Sequence, residues 1–478
     1  MGEPQDGSRP VHLLIEPRRT GLPRGFGALA AGAAFLLLVA LTSHVAAWLG
    51  PATDLYSRWY GLRRLLLAGE NPYGAEVTRA LASHMPFLAE GVEPVVPRDA
   101  LASAFGFLYP LPGVLFLAPL ALLPYRAALT LWMVAVLTLL PVAAWLAVDA
   151  VSPAAQAGRG GGTVRRLALP LGLLFVPALA NLIHGQLAPA VVFALALALR
   201  LSRSLGSTPS GRPFLAGFAL AAGAAVKPHL VIFLVPLWLG SNLRRWRRGG
   251  EGAPEAGRFL AGALLSAGAL VAVATLLLPS WPFDFLAAAG AYVSLTRVEY
   301  ADVTNAVLPG GPAVWRLAEP LLPAPLSWAV AGVATALLLA WAVAGWGQRA
   351  GEPWEESDTR GIARTLVVSA LIIPPAWETN AALLLVPLAI LLGQLAGRPV
   401  LALALAGSSV LLSALDLALY ATQPWRNAPL LIAAYALLLA AFGLAARARP
   451  VGRWPLRTRP ANPPPAPAPG AAGPSLRG

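Results

Sequence analysis

The chain contains no cysteine. Disulfides, thiolate nucleophiles and thiolate metal ligands are therefore excluded, although this does not decide the compartment. Lysine is nearly as scarce: among 35 Lys and Arg residues only Lys227 is a lysine, and the rest are arginine. Charged residues make up 12% of the 478 positions, about half the share usual for a soluble globular domain. No Walker or G-x-G-x-x-G phosphate loop is present, which argues against a nucleotide-driven pump. The five histidines are scattered, and no His/Asp/Glu cluster has metal-ligand spacing. No cofactor is expected, although a divalent ion held by Asp54 and a second carboxylate stays open. Carboxylate-rich motifs of the membrane prenyltransferase kind and DxD-type nucleotide-sugar sites are absent.

What is abundant is apolar sequence. The chain is 57% hydrophobic with a mean hydropathy of +0.66, and runs of about 20 apolar residues recur along it. The expected fold is an all-α polytopic integral membrane protein with about 11–13 transmembrane or half-membrane helices. The net charge of +13 is carried by arginines in short connections and tails. There it sets topology, and a nucleic-acid partner is not expected.

Residues 1–24 carry Arg9, Arg18, Arg19 and Arg24 and read as a cytoplasmic segment. The first run, Phe26–Leu49, is long enough to span and reads as an anchor, not a cleaved signal. Residues 25–446 form the membrane domain. The tail, 447–478, is rich in Arg, Pro, Ala and Gly and is expected to be disordered and cytoplasmic. Between them, residues 50–104 form an outer loop in which Arg58–Ala68 and Ala75–Met85 have helical apolar spacing. They are expected to lie along the membrane surface. A second outer loop spans residues 280–325. The strongest cytoplasmic marker is Arg244-Arg245-Trp246-Arg247-Arg248.

Two stretches leave the topology open. Phe105–Pro124 carries four prolines, and Phe214–Leu239 is interrupted by Lys227-Pro228. If each crosses once, the connections at 150–166 and 200–213 lie outside with their arginines. If each dips in and returns, those arginines move inside. The positive-inside rule and the prolines favour the second arrangement, which puts Lys227 on the side of Asp54, His184, Gln186 and Glu378.

Lys227 itself is the sharpest signal. A lone ammonium at bilayer depth costs roughly 2.5–3.5 kcal/mol on insertion scales and by default marks a functional site. The bland alternative is a lysine snorkelling at a helix end. With the break at Pro228 and with His229 beside it, the stretch reads as a cationic pocket for phosphate. Asp54, flanked by Tyr56, Trp59 and Tyr60, has the partly desolvated setting of a general base. It would equally serve as an N-cap. His184 and Gln186 are candidates for sugar hydroxyls or for helix caps. Glu378, between two short apolar halves, is a pocket candidate. Glu299, Tyr300, Asp302 and Asn305 are solvated-loop or substrate residues. Asp149, Gln423 and Arg426 read as interfacial.

The pieces Gly69-Glu70-Asn71-Pro72-Tyr73, Tyr109-Pro110-Leu111-Pro112, Ala118-Pro119-Leu120 with Leu123-Pro124, Gly185-Gln186 and Lys227-Pro228 occur in one order. In that order and spacing they resemble the polyprenyl-phosphate-dependent GT-C glycosyltransferases of family 87, which include phosphatidylinositol-mannoside mannosyltransferases. The resemblance covers about residues 50–248. The chain departs in having Tyr-Pro-Leu-Pro for the family's usual Tyr-Pro-Pro, and Leu187-Ala188 after Gln186 where a polar residue is common. The resemblance implies a GT-C-like fold in the plasma membrane with its active site on the extracytoplasmic side. It implies Asp54 as catalytic base and a sugar, most simply mannose, carried on polyprenyl phosphate. The acceptor would be a lipid or glycan hydroxyl, with inversion at the anomeric carbon. Arg58, Tyr73 and Tyr109 join His184, Gln186 and Glu378 as candidates for substrate contact, and Lys227 with His229 for the donor phosphate. The rival class is a transporter or flippase of lipid-linked sugars. No half-to-half symmetry is visible, and the long loop after the first span suits an acceptor platform better.

Overall fold

The structure, a computed structural model, describes residues 24–51, 53–83, 106–152, 159–203, 211–250, 252–297, 313–318, 321–349, 352–373, 378–420 and 424–447. Among them there is no strand. The two terminal segments, the 299–305 polar group and Gln423 lie outside the described residues.

Helix α1 (Arg24–Leu49) has 26 residues, about 39 Å of helix, enough to cross a hydrocarbon core of about 30 Å. Helix α2 (Asp54–Ala68) leaves it at 87°, so it runs along the membrane surface if α1 stands upright in the bilayer. It begins four residues before the expected Arg58. Helix α3 (Ala75–Ser83) follows.

The proline-rich stretch does not form a single span. It breaks into α4 (Leu111–Val114), a 3-10 turn (Leu115–Leu117) and α5 (Ala118–Ala121). Pro112 and Pro119 each sit in a first turn, where the missing N–H is tolerated. Trp59 of α2 donates to the carbonyls of Leu120 and Leu123, both at 3.1 Å, and Arg63 to that of Ala121 at 2.9 Å. Helix α2 thus satisfies backbone acceptors that the broken helices leave open.

The described chain continues with α6 (Tyr125–Val151), α7 (Arg159–Leu174), α8 (Val176–His184) and α9 (Ala188–Ser202). Next come α10 (Arg212–Val226), a 3-10 turn (Pro228–Val231), α11 (Leu234–Arg248) and α12 (Ala253–Leu277). Helices α13 (Trp281–Arg297), α14 (Ala313–Ala318), α15 (Ala324–Gly345) and α16 (Trp354–Ile372) follow. The last are α17 (Glu378–Ala381), α18 (Leu385–Gln394), α19 (Pro399–Tyr420) and α20 (Pro424–Arg447). Helices α6, α12 and α15 are each long and apolar enough to cross a membrane unaided.

Polar contacts sort the helix ends into two groups. At one end Asp149, at the foot of α6, pairs with Arg165 of α7 and Arg200 of α9. Ser152 donates to the Gly393 carbonyl at 3.0 Å, bringing in the end of α18. Arg203 donates to the Glu355 carbonyl at 3.0 Å and to the Thr359 hydroxyl, and Arg245 donates to Asp358 at 2.9 Å. The end of α11 and the start of α16 therefore lie beside the ends of α6 and α9. Asp149, read from the sequence as interfacial, lies at a helix end and is only 6% exposed. A carboxylate so buried is held by two guanidinium groups, one on each flanking helix.

This grouping decides between the two arrangements for Phe214–Leu239. Helix α10 starts near Arg203, and α11 returns to the same end at Arg245. Each has 15 residues, about 22 Å, and the turn between them carries Lys227 at the opposite end of the bundle. Helices α10 and α12 cross at two glycines, Gly217 and Gly262. A Cβ on either would strike the carbonyl of Phe259 or Phe214 across the contact, so only glycine lets the backbones approach this closely. The outward faces of α12 and α15 are apolar, with Leu264, Leu276 and Leu337 largely exposed. These faces suit contact with lipid.

Candidate functional site

At the second group of helix ends three elements converge: the start of α2, the α8–α9 turn and the α10–α11 turn. Asp54 is the first residue of α2. The preceding Thr53 occupies the N-cap position without a side-chain cap bond, and its hydroxyl pairs instead with the Tyr125 hydroxyl. The Asp54 carboxylate does not cap the helix either. It accepts a hydrogen bond from Gln186 Nε2, and its side chain is 42% exposed.

Gln186 reaches Asp54 because α8 ends at Gly185, which takes the left-handed conformation at φ 62°. The Gln186 N–H returns to the Asn181 carbonyl at 3.0 Å, closing the helix. A Cβ on Gly185 would stand 2.9 Å from Cβ of Leu55. The turn is therefore pressed against α2, and the Gln186 side chain, 2% exposed, lies beneath Asp54.

Lys227 ends α10. Pro228 removes the next donor and pushes the residue before it out of helical geometry, and Lys227 is extended at φ −141°, ψ 78°. Its ammonium, 3% exposed, donates to Gln186 Oε1 at 2.7 Å. Tyr109 OH donates to the same oxygen at 3.4 Å. The Tyr-Pro-Leu-Pro segment is held in place by Gly113, where a Cβ would collide with the Ala225 carbonyl two residues before Lys227.

Arg58, one turn after Asp54, lies under the Tyr109 ring at 4.2 Å from its centroid. Its Nη1 is 4.0 Å from Asp54 Oδ1, beyond hydrogen-bonding distance. The Gly69–Tyr73 loop closes the site from the side. Asn71 Nδ2 donates to Asp284 of α13 at 2.8 Å, and Tyr73 OH donates to the Tyr109 carbonyl at 2.6 Å. Burial pushes the Tyr73 phenol well above its ordinary pKa, so it stays a donor at any physiological pH.

The structure thus brings together Asp54, Arg58, Tyr73, Tyr109, Gln186 and Lys227, six of the residues singled out in the sequence. His229 is adjacent to Lys227 but exposed on the 3-10 turn. His184 is half-buried at the end of α8. Glu378 opens α17, which packs on α8. Neither the bridge that Gln186 makes between the carboxylate and the ammonium nor the pairing of Asn71 with Asp284 is legible in the sequence. The spacing of Asp54 and Arg58, one helical turn, was the available hint that both face one pocket.

A helical membrane bundle with an acid, an amide and an ammonium in line at one end has the parts of a transferase. The carboxylate is half-exposed and the ammonium is buried. The family model of glycosyltransferase family 87 matches residues 107–375, more than half of the chain, and the chain belongs to that family. It is a membrane glycosyltransferase. Tyr109, Gln186 and Lys227 fall inside the matched region; Asp54, Arg58, Tyr73 and Glu378 fall outside it. No curated protein and no solved structure matches the chain.

Proposed function

We propose that the protein transfers a sugar, most simply mannose, from a polyprenyl-phosphate donor to a lipid or glycan hydroxyl. The reaction takes place on the extracytoplasmic face of the plasma membrane. The observation that carries this reading is the line Asp54–Gln186–Lys227. It sets a half-exposed carboxylate and a buried ammonium on the two sides of one side chain. In this reading Asp54 takes the proton of the acceptor hydroxyl as it attacks the anomeric carbon in line. The C–O bond to the phosphate breaks, and Lys227 compensates the charge that develops on the departing polyprenyl phosphate. One carboxylate suffices because a charge-compensated lipid phosphate leaves without a protonating acid. The configuration at the anomeric carbon inverts in this single displacement.

A second feature supports a lipid-borne donor. A groove of about 750 Å³ lies between α10, α11 and α12 and is walled by apolar residues, among them Leu220, Ala224, Val235, Leu239 and Leu264. It begins at Pro112 and Ala225, two residues before Lys227 in the chain, and runs toward Trp246 at the other end of α11. A long hydrocarbon chain lying there would hold its phosphate at the ammonium. Purified protein supplied with radiolabelled polyprenyl-phosphate mannose and an acceptor extract is expected to release polyprenyl phosphate as labelled product forms. A transporter of the same lipid would move it intact, and recovery of only intact donor would overturn the reading.

A further inference from the structure

The anion site has a second cation that Lys227 alone does not account for. Arg58 is 7% exposed, yet its Nε and Nη1 have no hydrogen-bond partner. Buried guanidinium nitrogens are ordinarily satisfied, because an unsatisfied buried donor forfeits its hydration. The nearest carboxylate, Asp54, stands 4.0 Å away and already accepts from Gln186. The Tyr109 ring covers one face of the guanidinium and fixes its plane. Asp54, Arg58 and Lys227 together carry two positive charges and one negative. Two buried basic side chains beside one half-exposed carboxylate, with two unused guanidinium donors, make a site prepared for an anion.

We propose that Arg58 is the second arm of the donor phosphate site. The phosphate lies between the Arg58 guanidinium, whose Nε and Nη1 are unpartnered, and the Lys227 ammonium, and Lys227 releases Gln186 to receive it. A phosphate oxygen pair matches the planar guanidinium edge, whereas Lys227 acts as a point charge. The unpartnered nitrogens are then the vacant half of a contact completed by the ligand. Gln186, which occupies the Lys227 ammonium when no phosphate is present, is a positioning residue in this scheme. The inference rests on the reading of the donor as a lipid phosphate, and its test separates the two.

The full-length protein in detergent is titrated with farnesyl phosphate, and with farnesol as the uncharged control. The wild type is expected to prefer the phosphate. Arg58→Met is expected to weaken farnesyl phosphate binding by roughly ten- to two-hundredfold, the loss of a hydrogen bond to a charged group, and to leave farnesol binding unchanged. Arg58→Lys keeps charge and length but loses the planar edge, so its phosphate affinity should fall between the two. Unchanged farnesyl phosphate affinity in Arg58→Met would overturn the assignment of Arg58. If Arg58→Met fails to insert, Arg58→Lys decides: reduced affinity supports the proposal, and wild-type affinity overturns it. A wild type that binds farnesol and farnesyl phosphate alike would remove the lipid-phosphate reading itself, and with it this inference.

Discussion

Lys227 Nζ donates to Gln186 Oε1 at 2.7 Å, and the nitrogen of the same amide donates to Asp54. One neutral side chain therefore engages both the carboxylate and the ammonium. The three residues come from the α10–α11 turn, the α8–α9 turn and the start of α2. Their registry depends on three local stops: Pro228 ends α10, Gly185 ends α8, and α2 starts at Asp54 after its turn away from α1. Each stop is a backbone property, and each places a polar side chain where the bundle opens.

Asp54→Asn tests the base. The substitution keeps the shape and an oxygen able to accept from Gln186 but removes the proton acceptor. Folded, normally inserted protein is expected, with turnover reduced by at least about a hundredfold, the low end for general base catalysis. Donor binding measured with farnesyl phosphate should change far less than turnover. Near-normal turnover would leave Asp54 only its contact with Gln186.

For Lys227, methionine and arginine are the informative replacements. Lys227→Met preserves an unbranched stem and removes the charge. Donor kcat/KM is expected to fall roughly ten- to two-hundredfold, as for a lost hydrogen bond to a charged group. Lys227→Arg should recover only part, because a planar fork does not fit the tight contact that an ammonium makes at 2.7 Å. Thermal stability in detergent should hold or rise in the methionine variant, since an intramembrane charge is gone. Equal donor efficiency in Lys, Arg and Met forms would make Lys227 a bystander.

The membrane fold was legible because its cause is local: apolar runs and proline breaks are read directly along the chain. The broken nature of 105–124 and 214–239 followed from Pro112, Pro119 and Pro228 for the same reason. Lys227 stood out because an isolated ammonium in an apolar run is costly, and the break at Pro228 with His229 beyond it favoured a pocket over a snorkelling helix end. Gln186 was visible as a candidate but not as a bridge, since its partners lie 132 and 41 residues away in sequence. The burial of Asp149 was not visible for a like reason. Its two arginine partners are 16 and 51 residues distant, and only the packing of α6 against α7 and α9 shows that the carboxylate is buried. Nothing in the spacing of residues reveals unpartnered donors on Arg58.

The grouping of helix ends makes a topological prediction that separates geometry from orientation. Single cysteines are clean probes in a chain without native ones. In intact cells an impermeant thiol reagent is expected to label Ser83→Cys. It should reach Gly161→Cys and Arg248→Cys only after permeabilisation. If Gly161→Cys and Arg248→Cys fall on opposite sides, the placing of the α7 start beside the α11 end is wrong. If all three reverse together, the fold stands, but the Asp54 end faces the cytoplasm.

Gln186 offers the most discriminating pair of variants, because a residue that holds the phosphate's place and a residue that binds sugar respond oppositely. Gln186→Glu puts a carboxylate of the same shape between Asp54 and Lys227. In a dry setting it pairs with the ammonium more strongly than the amide does, and it competes with phosphate as an anion. Donor KM is expected to rise at least about tenfold, since charge-assisted bonds are roughly twice as strong as neutral ones. Gln186→Ala removes the competitor altogether. Lys227 is then free for the phosphate, so donor KM should hold or fall. Turnover should drop roughly ten- to a hundredfold because Asp54 is no longer held in place for the attacking hydroxyl. Michaelis titrations of the donor at saturating acceptor separate the two parameters. If Gln186→Ala raises donor KM as much as Gln186→Glu does, the amide contacts the donor itself. Gln186 would then belong to the sugar pocket, and Lys227 would have to reach the phosphate without giving it up.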